Sequence, residues 1–62
     1  MYYIFKDKDH FFYGYYDENG KFFEEVSENL HIIRDEMSKN IIREVPTKEK
    51  ALDLVNTFNL FK

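Results

Sequence analysis

An α+β fold, with an antiparallel sheet of three or four strands and a C-terminal helix packed on one face, follows from three features of this 62-residue sequence. Its first half is a series of short aromatic and β-branched runs, "YYIFK", "HFFYGYY" and "KFFEEV", separated by polar residues. Asn19-Gly20 stands between the last two runs, and this dipeptide is the strongest short-range hairpin signal a sequence carries. Beyond Pro46, Ala51, Leu54, Val55, Phe58 and Phe61 fall on one helical stripe. With two glycines, one proline, no repeat and no low-complexity run, residues 1–62 read as a single compact domain.

Residues 2–6 and 10–16 are rich in side chains that suit a pleated surface, and the "KDKD" between them supplies a polar turn without glycine. Asn19-Gly20 predicts a two-residue type I′ turn joining strand 10–18 to strand 21–26, because both central residues there need positive φ. That register sets Tyr16 opposite Phe23, Tyr15 opposite Glu24, Gly14 opposite Glu25 and Tyr13 opposite Val26. A three-residue loop with Gly20 in a bulge would shift the pairing by one and exchange the two faces. The doubled "FF", "YY" and "FF" put one ring on each side of the sheet, so both faces are aromatic.

Residues 27–39, "SENLHIIRDEMSK", predict a middle helix: Val26, Leu30, Ile33 and Met37 recur at helical spacing, Ser27 can cap, and Glu28 suits the first turn. The competing reading is a second hairpin of "LHIIRD" and "NIIREV" turning at "EMSK"; in either case "NIIREV" is a strand. After Pro46, Thr47 caps a helix from Lys48 to about Asn59 that covers the sheet.

A chain this short, without disulfides or metal, folds only by burying most of its large apolar side chains. Ten of the twelve aromatic residues lie within residues 1–23, so the N-terminal half supplies most of the core. The lack of cysteine excludes a disulfide framework and a thiolate zinc site, and points to the cytoplasm. No stretch approaches the roughly 20 apolar residues of a membrane span, and the N-terminus reads as untargeted.

The net charge of −3 is unevenly distributed: residues 17–36 carry seven acids against Lys21 and Arg34, and the remainder is net positive. Such a segment repels phosphate, so direct nucleic-acid binding is disfavoured and a basic protein surface is the expected partner. No chemistry competes strongly with that reading. "DKDHFFYGYYDE" opens like a calcium loop, yet Phe11 stands at a ligand position and Phe12 where glycine is required. His10 and His31 are the only imidazoles, and no serine lies in a nucleophile-elbow motif. So small a core leaves little room for a pocket of roughly 300 Å³. The chain is therefore expected to be no enzyme and to need no cofactor or metal.

What remains is a surface of tyrosines beside carboxylates. Tyr13, Tyr15, Tyr16, Asp17, Glu18, Glu24, Glu25, Glu28, Asp35 and Glu36 are the candidate partner-binding residues, the rings supplying contact area and the acids steering encounter. In size, acidic segment, lack of cysteine and Lys/Asn/Ile/Phe/Tyr-rich composition the chain resembles the small proteins that phages of low-GC bacteria encode to block host nucleases, anti-CRISPR proteins among them. The resemblance implies stoichiometric inhibition of a host nuclease or its nucleic-acid complex, with the acids standing in for phosphates. Two other readings stay open: a self-associating assembly module, such as a homodimer, using a free sheet edge and the tyrosine face, and single-stranded nucleic-acid binding through "FFYGYY".

Overall fold

The computed structural model describes residues 1–61. Five strands, β1 (Tyr2–Asp7), β2 (His10–Tyr16), β3 (Phe22–Ser27), β4 (Leu30–Ile33) and β5 (Ile41–Val45), form one antiparallel sheet in the order β4-β3-β2-β1-β5. A 3₁₀ helix spans Asp35–Asn40, and helix α1 covers Lys48–Leu60. The α+β class and the C-terminal helix agree with the sequence; the sheet has five strands rather than three or four.

β1 and β2 are joined by Lys8-Asp9, with Asp7 paired to His10 and Lys8 at φ +59°. The β2–β3 connection differs from expectation by one residue. Asp17 N–H donates to the Lys21 carbonyl and Gly20 N–H to the Asp17 carbonyl, leaving a three-residue loop with Gly20 at φ +81°. The Asp17 carboxylate selects this loop by accepting from Asn19 N–H at 2.9 Å and Lys21 N–H at 2.8 Å. Tyr16 therefore faces Phe22, Tyr15 faces Phe23 and Gly14 faces Glu24, one position off the type I′ register.

No α-helix forms over residues 27–39. Leu30–Ile33 pairs with β3, and Ile41–Val45 pairs with β1 at the opposite edge, so the two segments are not a hairpin either. The 3₁₀ helix carries the chain between these edges across the sheet face opposite α1, resting on β1 and β3. It is held by the Asp35 carboxylate, which accepts from Phe22 N–H at 3.0 Å, and by Met37 N–H, which donates to the Arg34 carbonyl at 2.8 Å.

Both faces of the sheet are thus covered. Under α1, Ile4, Val45 and Ala51 are buried and pack with Tyr2, Phe11, Tyr13, Leu54, Val55 and Phe58. On the other face Phe5 and Phe22 are fully buried, their rings meeting edge-on at 5.3 Å, with Tyr3, Phe12 and Tyr16 around them. Gly14 makes this second core possible, because a Cβ there would lie 2.9 Å from Phe22 Cζ and closer still to the Phe23 carbonyl oxygen. The expected Thr47 cap is present, its hydroxyl accepting from Lys50 N–H at 3.2 Å. Phe61 leaves the predicted apolar stripe and is 79% exposed.

Candidate functional site

The structure separates the ten residues that the sequence groups together. Tyr13 lies under α1 in the first core, and burial, followed by the nearby Glu25 charge, pushes its phenol up to about 12. Tyr15 sits on the same face, stacked on Phe23 at 5.9 Å and hydrogen-bonded through its hydroxyl to His31 Nδ1 at 3.1 Å. Tyr16 is on the opposite face, exposed, against Tyr3 and Phe22. A hydrogen bond to Glu44 raises the neighbouring Tyr3 phenol.

The acids divide in the same way. Glu24 is buried at 7% exposure, where Arg34 Nε donates to its Oε1 at 2.9 Å and Arg34 Nη1 reaches Asp7 at 3.3 Å. The Glu24 contact is the first cause holding the Arg34 guanidinium in its charged form. Glu25 is enclosed on the α1 side, where Lys48 Nζ donates to Oε1 at 3.3 Å and the carboxylate acts on the nearby Tyr13 phenol. Asp17 and Asp35 spend their carboxylates on backbone N–H groups. Glu18, Glu28 and Glu36 stand exposed. Glu18 and Glu36 lie towards the end of the sheet that carries the β2–β3 loop, and Glu28 lies in the β3–β4 turn at the other end.

The sequence reading offers Leu30–Ile33 as a strand only in its competing hairpin and does not count it as a site; in the structure it is the edge strand β4. Leu30, His31, Ile32 and Ile33 are all exposed, the three apolar ones at 52%, 42% and 53%, with Val26 beside them at 48%. Arg34 N–H donates to the Phe22 carbonyl at 2.8 Å. Antiparallel alternation then turns Ile32 inward to β3 and leaves the N–H and C=O groups of His31 and Ile33 pointing away from the sheet. The opposite edge is guarded: β5 has a bulge against Ile4/Phe5, carries Arg43 and Glu44, and runs into Pro46. β4 contains no charged residue; its protections are a length of four residues and a bulge at the Val26 end. The sequence signal for this was the bare "LHII", which also satisfies helical spacing.

On the α1 side, the exposed edge continues into Tyr15 and Phe23, since α1 packs over β1, β2 and β5. Among the described residues there is no pocket, no cluster of three His, Asp or Glu placed to hold a metal, and no helix long and apolar enough to cross a membrane. The molecule belongs structurally to the α+β class, a five-stranded antiparallel sheet clasped between a helix and a 3₁₀ strap. Comparison with known proteins adds no narrower assignment: no family model, curated protein or solved structure matches the chain.

Proposed function

We propose that this protein is a non-enzymatic protein-binding module that docks through the β4 edge and its apolar margin. The observation that carries this reading is the contrast between the two sheet edges. Native sheets blunt an exposed edge with charge, proline or a bulge, as β5 does, whereas β4 offers free backbone groups between isoleucine and leucine side chains. Exposed apolar side chains grouped in this way mark interaction surfaces.

The acids form the rim of the surface rather than its centre. Glu28 at one end of β4 and Glu36 beyond the other favour a partner with Lys or Arg around an apolar strand or patch. A host nuclease, the partner that the resemblance to phage inhibitors implies, offers such a basic rim. Tyr15 joins the margin of the surface, Tyr16 and Glu18 are accessory, and Tyr13, Glu24 and Glu25 act within the fold.

Affinity capture from bacterial lysate with wild type, Ile32→Lys, and a Glu18→Lys/Glu28→Lys/Glu36→Lys variant tests the reading. A protein retained by wild type, lost with Ile32→Lys and weakened by the charge reversals supports it. Equal retention by folded wild type and Ile32→Lys overturns it. Fluorescence titration with oligonucleotide at low salt covers the alternative in which Tyr15 and Phe23 stack on bases.

A further inference from the structure

We infer that a second copy of this chain occupies the β4 edge, paired antiparallel about a two-fold axis that passes beside Ile32. The inference rests on the reading of β4 as a docking edge and names what covers that edge in the isolated protein, until the basic partner proposed above displaces it.

The hydrogen-bond pattern sets the register. Because Arg34 N–H is spent on Phe22 and Ile32 faces β3, the outward backbone groups are those of His31 and Ile33. A two-fold axis perpendicular to the sheet brings His31 of one copy opposite Ile33 of the other, twice. Each such pair exchanges two hydrogen bonds, so all four outward groups of each strand are satisfied. Ile32 then meets Ile32 as the central non-hydrogen-bonded pair, and the Tyr15, Phe23 and Ile33 side of one sheet continues into the same side of the other. A slip of one residue would oppose inward-pointing groups and exchange the faces. A slip of two would set Asn29, in the turn, against Ile33.

Self-pairing also suits the side chains. Residues 30–33 carry no charged group, so the strand meets its own copy without like-charge contact. Glu28 and Glu36, which that register would oppose if the strands continued, lie instead in the turn and the 3₁₀ helix. The guarded β5 edge makes the assembly close as a dimer, because a chain with one open edge cannot propagate a fibre.

Size limits its strength. Four residues at about 3.4 Å each give an edge of roughly 14 Å, shorter than an ordinary strand of about 17–20 Å, so few hydrogen bonds and little side-chain area hold the two copies together. The dimer is therefore weak and concentration-dependent. Each copy carries −3, so salt strengthens it by screening.

The lack of native cysteine permits a direct test. The non-hydrogen-bonded Ile32 pair has its Cβ atoms about 4.5–5.5 Å apart, within reach of a disulfide after slight adjustment. Ile32→Cys under mild oxidation with oxidised glutathione should give a covalent dimer of twice the monomer mass, while Ile42→Cys on β5, where the side chain is more exposed (53% against 42%), should stay monomeric. Sedimentation of wild type between about 10 µM and 1 mM should show rising mean mass, which Ile32→Lys abolishes while circular dichroism stays native. Wild type that remains monomeric throughout, or cross-linking equal at both cysteines, overturns the inference. If that happens while lysate capture still depends on Ile32, the docking edge stands and its occupant is a different protein.

Discussion

The side chain of Asn59, near the end of α1, closes two hydrogen bonds on the backbone of Phe11 in β2: Phe11 N–H donates to Oδ1 at 2.8 Å, and Nδ2 donates to the Phe11 carbonyl at 3.0 Å. β3 pairs with β2 only over Gly14–Tyr16, so Asn59 takes the place of a missing strand residue at this level. The helix is thereby registered on the sheet by a polar clamp as well as by the Phe11–Phe58 ring contact. Asn59→Ala leaves both backbone groups unpaired in a half-buried setting and should cost about 2 kcal/mol in urea denaturation. Asn59→Asp keeps the acceptor for Phe11 N–H and should recover part of the loss.

Gly14 is where the second core touches the backbone. Gly14→Ala places a methyl group against the Phe22 ring and the Phe23 carbonyl, neither of which can retreat, since Phe22 is fully buried and Phe23 belongs to the paired strand. Overpacking of this kind should cost about 2–3 kcal/mol. Thermal melting with near-ultraviolet circular dichroism reads both the loss and the disturbed tyrosine packing.

Arg34 is the counter-charge for a buried acid. Arg34→Met keeps most of the apolar stem and leaves Glu24 without its cation, which should destabilise by about 2 kcal/mol, below the value for a fully buried pair because the Arg34 side chain is 26% exposed. Adding Glu24→Gln to that variant should restore much of the loss. A double-mutant cycle by chemical denaturation checks both statements.

Tyr13 sets an alkaline limit. Its folded-state pKa, about 12, lies above the ordinary value of 10.0, so the protonated phenol is the form the fold prefers. The contribution is whole below pH 10 and is lost as pH rises through about 12. Tyrosinate absorbance should show a late-titrating group that disappears in Tyr13→Phe, and the variant should lose less stability than wild type across that window.

The parts of the fold legible in the sequence are those with local causes. The Thr47 hydroxyl caps α1 as expected, and the aromatic runs become strands. The β2–β3 register was not legible, because Gly20 suits a type I′ turn and a three-residue loop alike; the Asp17 carboxylate decides between them through two backbone N–H groups. Residues 30–37 show helical spacing, yet Leu30–Ile33 forms a strand because β3 supplies hydrogen bonds and pairing that no local pattern records. Glu24 and Glu25, adjacent and on opposite faces, are both enclosed because the sheet is covered on both sides, and the strap responsible has no sequence signature.

The strand order has a kinetic consequence. β1 through β4 form a meander of neighbours joined by tight turns, which can assemble through short loop closures, whereas β5 must travel to the far side and pair Tyr2 with Val45. Until it arrives, β1 is itself an open edge and α1 has no floor at Val45. A nascent chain therefore exposes an unpaired edge at each end of its meander, and only the arrival of β5 makes the two ends unequal.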